Sequence, residues 1–258
     1  MDTQILNSTF VKERVETFYG YGNYRGNYWF IGMEEAAGGD FDDINNRINT
    51  WAKRDKLDID DLAEYHQAIG YPELFEKGAR LTVPVWRAII RIILSEQGEI
   101  NDITREDIRK YQISKLGRRH EETCLLEMFP LPSPNAKVWG FNNIVDLNQL
   151  KFLSDRKEYE KHCIENLKRV ENISNKIKEY KPRVVVFYSL NLKYVKHWKE
   201  IIGSVADNLK KIGYSNKEYF CIGKNDQTVF VIAKFPRAVP SEYYCNIGKE
   251  ITAKLAEK

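Results

Sequence analysis

Arg183-Val184-Val185-Val186-Phe187-Tyr188 is a run of β-branched and aromatic residues with no polar alternation. A strand with one wet face alternates. A strand that does not is buried on both faces, the situation of parallel sheets covered by helices on either side. Three further runs of this kind are Tyr28-Trp29-Phe30-Ile31-Gly32, Thr123 to Phe129, and Thr228-Val229-Phe230-Val231-Ile232-Ala233. The stretches between them carry helical periodicity, and strands separated by helices imply crossover connections and parallel pairing. The expected fold is α/β: three layers, α/β/α, around a central, mainly parallel four-stranded sheet. No linker, internal repeat or low-complexity tract breaks the 258 residues, so one domain spanning 1–258 is expected, with a helical insertion at about 44–120.

Within that insertion, apolar residues recur at 85/86, 89/90 and 93/94, with Thr82 placed to cap and Pro84 suited to the first turn. Arg87 and Arg91 share the other face at i,i+4 and read as a solvated surface. Asp155 to Tyr180 reads as one long amphipathic helix, with Asp155 and Glu158 as its cap and Ile164, Leu167, Val170, Ile173 and Ile177 as its stripe. A helical stretch is expected around Tyr194 to Ile212, and a last helix from about Glu242. Residues 1–27 are polar and aromatic. Gly and Asn there favour turns, and the tyrosines read as lying on the surface of the sheet rather than as a base-stacking platform.

Composition narrows the chemistry. Charged residues make up 30% and hydrophobic ones 43%, ordinary for a soluble globular chain. A formal charge of +3 permits a nucleic-acid partner without demanding one. Cys124, Cys163, Cys221 and Cys245 stand far apart with no C-x-x-C pair, so no metal site, disulfide framework or cofactor is expected. Reduced thiols, no apolar signal-like segment near Met1 and no long apolar run together read as a cytoplasmic protein, with no membrane association and no obligate protein partner.

The strand exits carry the unusual residues. The first run ends in Gly32-Met33-Glu34-Glu35 and a small-residue loop closing at Asp40. Glu127 interrupts an otherwise apolar run and leads into Pro130-Leu131-Pro132-Ser133-Pro134-Asn135, where three prolines hold the chain extended. Desolvating such a carboxylate costs several kcal/mol unless it is paired. The last run leaves through Lys234-Phe235-Pro236-Arg237. Ligands of open α/β sheets sit at the carboxyl ends of strands, so these exits are the place to look for chemistry.

The order and spacing of these exits resemble the uracil-DNA glycosylase superfamily, in a divergent form similar to members that remove bulky modified cytosines from phage DNA as an antiviral defence. In that family the first strand ends in a glycine and a short motif with the water-activating acid or amide. The second strand carries a base-reading asparagine, and the fourth ends in a His-Pro-Ser-type loop. The resemblance implies that Glu34 takes the catalytic place, with Glu35 where a proline is usual. It implies that Phe41 stacks on an extruded base and that Glu127 replaces the base-reading asparagine. Phe235-Pro236 matches the His-Pro step without its histidine, leaving Arg237 or Lys234 to stabilise the departing base. Ser133, Asn135, Lys234 and Arg237 are the candidate grips on DNA.

The implied activity is that of a monofunctional DNA glycosylase, a hydrolase acting on a flipped-out base. Breaking an N-glycosidic bond passes through an oxocarbenium-like sugar, which a carboxylate such as Glu34 or Glu35 stabilises while orienting water. An ionised Glu127 only accepts hydrogen bonds, which suits the exocyclic amino group of cytosine better than uracil's O4. A modified cytosine, such as glucosylated hydroxymethylcytosine, is then the expected target. Two alternatives stay open: a nucleoside hydrolase or deoxyribosyltransferase acting on free nucleosides, and a non-catalytic sensor of modified DNA.

Overall fold

The computed structural model of the chain describes residues 4–36, 39–81, 83–98, 102–135, 138–215, 217–236 and 239–257. In chain order come α1 (Ser8–Thr17), β1 (Gly20–Gly22), β2 (Tyr28–Gly32), α2 (Phe41–Lys53), β3 (Ile59–Asp60) and α3 (Leu62–Ala68). They are followed by α4 (Pro84–Gln97), α5 (Arg105–Ser114), β4 (Thr123–Glu127), α6 (Arg156–Lys161), α7 (Arg169–Tyr180) and β5 (Val184–Tyr188). The chain ends with α8 (Leu192–Ile202), β6 (Lys210–Gly213), β7 (Tyr219–Lys224), β8 (Val229–Ala233) and α9 (Ser241–Ala256).

The α/β class holds, but the sheet is larger than the four expected strands. It is a mixed, eight-stranded sheet in the order β3-β1-β4-β2-β5-β8-β7-β6. The four strands read from sequence form its centre, β4-β2-β5-β8, and all pair in parallel. β1 joins antiparallel to β4 and carries β3, while on the other side β7 joins antiparallel to β8 and β6 antiparallel to β7. The added strands lack the signal that marks the central ones. β1 has three residues, two of them glycine, and β6 is a mostly exposed Lys-Lys-Ile-Gly edge inside the tail of a stretch read as helix. Lysines on an edge strand discourage pairing with another chain and also hide it from a hydrophobic pattern search.

Alternation sorts the central strands onto two cores. Tyr28, Phe30, Leu125, Val184, Val186, Val229 and Val231 face α3, α4, α5 and α9. Trp29, Ile31, Cys124, Leu126, Val185, Phe187, Phe230 and Ile232 face α1, α6, α7 and α8. On the first face α4 and α9 run side by side in the same direction. A Cβ at Gly248 would stand 2.5 Å from the Ile92 carbonyl oxygen, and the Thr252 hydroxyl donates to the Glu96 carbonyl at 2.8 Å.

Two further expectations are corrected. Residues 1–27 are not merely a turn-rich lead-in, since they hold α1 and β1, with Tyr19 and Tyr21 buried. The region 155–180 is not one helix. The Asp155 cap on Glu158 is present, but a π turn at His162–Asn166 and a left-handed Lys168 (φ 51°) separate α6 from α7. The break brings Arg169, the first residue of α7, fully into the interior. Helix α4 starts at Pro84 with Val83 as its cap residue, and the Thr82 cap lies outside the described residues. No helix among the described residues is long and apolar enough to cross a membrane.

Candidate active site

The chain leaves β2 for β4 on one side and later returns to β5 on the other, so both neighbours of β2 follow it in sequence. Strand order therefore reverses at β2, and the crevice beyond its C-terminal end is the topological switch point where open α/β sheets hold ligands. Gly32, Glu34 and Glu35 lie at that end, and Glu127 is the direct partner of Gly32 across β4.

Backbone pairing continues past both strands. Met128 N donates to Gly32 O at 3.0 Å, Phe129 N to Met33 O at 2.6 Å and Ser133 N to Glu35 O at 2.9 Å. Arg169 fastens the platform from beneath: its guanidinium donates to the carbonyls of Phe18 (3.0 Å), Glu127 (2.8 Å) and Met128 (2.8 Å). These loops hold their backbone hydrogen bonds as strands do, so the carboxylates they carry are fixed in place.

The two adjacent glutamates diverge. Glu35 is caged: Arg47 Nη1 donates to Oε1 at 2.6 Å, the Tyr21 hydroxyl donates to Oε2 at 2.9 Å, and Arg14 Nη2 stands 3.6 Å from Oε2. Arg14 is fully buried between aromatic rings, with Phe18 4.0 Å beneath its guanidinium. His66 Nε2 is 3.9 Å from Glu35 Oε1, yet burial lowers the imidazole pKa against the pull of Glu35. Glu34 turns to the opposite core, where Arg156 donates to Oε2 and is itself held by Glu160 at 2.9 Å. Among the described residues, Glu34 Oε1 has no hydrogen-bond partner. Burial raises the Glu34 carboxyl pKa and Arg156 offsets this only in part. Of the pair, Glu35 is saturated by cations and Glu34 keeps an open oxygen.

Glu127 is the third carboxyl. Its side chain lies over Gly32, where an added Cβ would stand 2.9 Å from Oε2, and Oε2 is buried without a hydrogen-bond partner. Burial pushes the carboxyl well above the usual range, and the charges of Glu35 and Glu34 push it the same way. This shift favours the protonated form, in which a carboxyl offers one donor and one acceptor, over the ionised, acceptor-only form expected from sequence. The neighbouring strand end adds a second unsatisfied group. Tyr188, on the same face of the sheet by alternation, has a buried hydroxyl without a partner. Ser189, the next residue, has φ 152° and donates its N–H to the Ala233 carbonyl at 3.0 Å. Buried polar atoms are nearly always paired, and two unpaired ones at a switch point are what a ligand's polar edge would satisfy.

The remaining sequence candidates fare unevenly. Phe41 opens α2 and packs, half-buried, against the core rather than standing free to stack. The Ser133 hydroxyl is committed to its own loop, donating to the carbonyls of Asn135 (2.9 Å) and Val138 (3.2 Å), so it braces the proline loop instead of gripping phosphate. Asn135 belongs to that same braced loop. The Lys234 ammonium is paired with Glu218 at 2.8 Å, and Arg237 lies outside the described residues. Arg14, Arg47, Arg156, Arg169, Tyr21 and Tyr188 were not singled out from sequence. The Val11-x-x-Arg14-Val15 spacing in a short amphipathic segment gives no sign that Arg14 points inward, because that depends on α2 and β4 closing over it. Among the described residues no group of three or more His, Cys, Asp or Glu is placed to hold a metal ion. Comparison with protein-family models, curated proteins and solved structures finds no match, so function has to be argued from the site itself.

Proposed function

We propose that this protein is a monofunctional DNA glycosylase that hydrolyses the N-glycosidic bond of a base flipped into the crevice beyond β2. One observation carries the reading: at the switch point, adjoining strand exits of a rigid platform carry a carboxylate, Glu34, with one oxygen unpaired among the described residues, and a buried carboxyl, Glu127, with an unpartnered oxygen and a raised pKa. Glu34 would stabilise the oxocarbenium-like sugar and orient the attacking water at C1′, while the base departs with the electrons of the broken bond. Arg156 fixes the carboxylate through Oε2, leaving Oε1 to face the sugar. Glu35 organises the cationic cage behind the site. Glu127, with a donor and an acceptor side by side, is matched to the Watson–Crick edge of a pyrimidine.

In its protonated form Glu127 would pair with the N3/N4 edge of cytosine and with the O4/N3–H edge of uracil alike, so charge would not select between them. A modified cytosine of phage DNA, such as the glucosylated hydroxymethyl base, is the first substrate to try because of the resemblance of the strand exits. The test incubates the protein with oligonucleotides carrying uracil, cytosine, hydroxymethylcytosine or its glucosylated form and scores abasic sites by alkaline cleavage. Abasic sites on one modified substrate, lost in Glu34→Gln, are expected. Folded protein that leaves all four intact while cleaving free nucleosides would favour the nucleoside hydrolase instead.

A further inference from the structure

A trough at the starts of α4 and α9 lies outside the site just described. One of its cavities, about 560 Å3, is lined by Arg80, Arg87, Arg91, Arg105 and Arg109, with no acidic and no aromatic side chain. Two of these have internal duties. Arg109 pairs with Glu106 and donates from Nε to the Ala79 carbonyl (3.1 Å), and Arg91 Nη1 donates to the Ile103 carbonyl (3.4 Å). The side chains of Arg80, Arg87 and Arg105 are exposed and have no ion pair or hydrogen bond among the described residues. Cations gathered around one cavity repel each other, and an anion among them removes that cost. The i,i+4 pair Arg87 and Arg91, read from sequence as an ordinary wet face, is therefore one wall of a basic cavity.

The geometry extends the cavity into a track. A second space of about 140 Å3 reaches Pro236 and Val239 at the exit of β8, and a third of about 830 Å3 follows α9; Arg91 and Ser241 line all three. Helices α4 and α9, 14 and 16 residues long, both begin here without a side-chain cap, so their free first-turn N–H groups and positive dipole ends lie at the trough. Because α9 follows directly from β8 and α4 runs parallel to it, the trough sits at the same end of the sheet as Glu34, Glu35 and Glu127. A short bridge joins the two places: His66, 3.9 Å from Glu35, packs its ring 5.2 Å from that of Trp86, the residue before Arg87.

We infer that this arginine trough grips successive backbone phosphates of the nucleic-acid strand whose flipped nucleotide enters the crevice, an inference that rests on the nucleic-acid substrate proposed above. The arginine cavity has no aromatic surface on which a base could stack, Tyr244 and Tyr214 lining only the joined spaces, so phosphate is what it recognises. Three joined spaces suit a chain of phosphates better than one compact polyphosphate. Asp102 and Glu242 line the far stretch along α9, which confines the track to the arginine end.

The test measures anisotropy of fluorescent oligonucleotides of about 20 nucleotides and ordinary sequence, single- and double-stranded, over a salt series. The proteins are the wild type, the triple variant Arg80→Gln/Arg87→Gln/Arg105→Gln, and a charge-matched control, Lys178→Gln/Lys196→Gln/Lys199→Gln. The triple variant should bind about tenfold or more weakly near 100 mM salt and lose about two to three from the slope of log affinity against log salt, while the control barely moves. Equal losses in both variants would reduce the effect to net charge and overturn the inference. Tripolyphosphate or ATP binding tightly where oligonucleotides do not would replace the strand with a compact polyphosphate. Thermal melting of each variant verifies folding, and single substitutions replace the triple if it fails. The assay needs no base excision. Trough-dependent binding with no abasic product would leave this inference standing and refute the glycosylase reading, whereas excision unaffected by the triple variant would do the reverse.

Discussion

Glu127→Gln should change how stability depends on pH. Burial raises the pKa of this carboxyl in the fold, and the charges of Glu35 and Glu34 raise it further. In the unfolded chain it ionises near its ordinary value of about 4.3. Above that pH the unfolded state loses a proton that the folded state keeps. Stability therefore falls as pH rises, by about 1.4 kcal/mol per pH unit, until the pH reaches the folded-state pKa. Below the unfolded pKa both states are protonated and the contribution is complete. Glutamine has the same shape and no titration, so the gap between the two proteins isolates this one group. Raising the pH from about 5 to 6 should destabilise the wild type relative to Glu127→Gln by up to about 1.4 kcal/mol, or about 3–5 °C in Tm for a chain of this size. Urea unfolding of both proteins at several pH values measures it. A difference that stays constant with pH would mean that Glu127 is ionised in the fold, and its role as a neutral donor and acceptor would have to be abandoned.

Four other outcomes are expected. Glu34→Gln should lower the excision rate by about a hundredfold or more with little change in Tm. Glu35→Ala, which strands the fully buried Arg14 and leaves Arg47 with Asp43 alone, should cost about 3–5 kcal/mol of stability; the opposite pattern in melting and single-turnover assays would exchange their roles. Gly32→Ala should fold but force the Glu127 carboxyl from its place, since the new Cβ would be 2.9 Å from Oε2; unchanged substrate preference and rate would show that this carboxyl does not read the base. Gly248→Ala should destabilise by about 1–3 kcal/mol, because its Cβ would meet backbone of α4 at 2.5 Å; a Tm equal to that of the wild type would refute such close helix packing.

The central strands are legible because burial on both faces writes itself as uninterrupted Val, Ile and Phe, and the register then follows from parallel pairing. Gly32, Glu34, Glu35 and Glu127 are legible for the reverse reason, as polar residues and a glycine where those runs end. The charge of Glu127 is not, since ionisation depends on a desolvation that only the closed fold supplies. Nor is the answer to which glutamate is caged. Arg14, Arg47 and Arg156 come from three separate helices, and no spacing along the chain brings them to residues 34 and 35. The break at 162–168 escapes notice because the stripe from Ile164 to Ile177 keeps its period across the left-handed Lys168. Chemistry at strand ends announces itself locally, whereas the ions that tune it arrive by tertiary contact.

Arg169 joins carbonyls of residues 18, 127 and 128 through one side chain. The crevice consequently has no folding unit of its own. Its floor is complete only when the end of α1, the exit of β4 and the start of α7 have met, and opening any one of them opens all three. Amide exchange at the start of α7 should therefore report on occupancy of the crevice, slowing when a ligand settles against Glu127 some forty residues away in sequence. A shortened chain ending before residue 169 would keep the acids and lose the architecture that positions them.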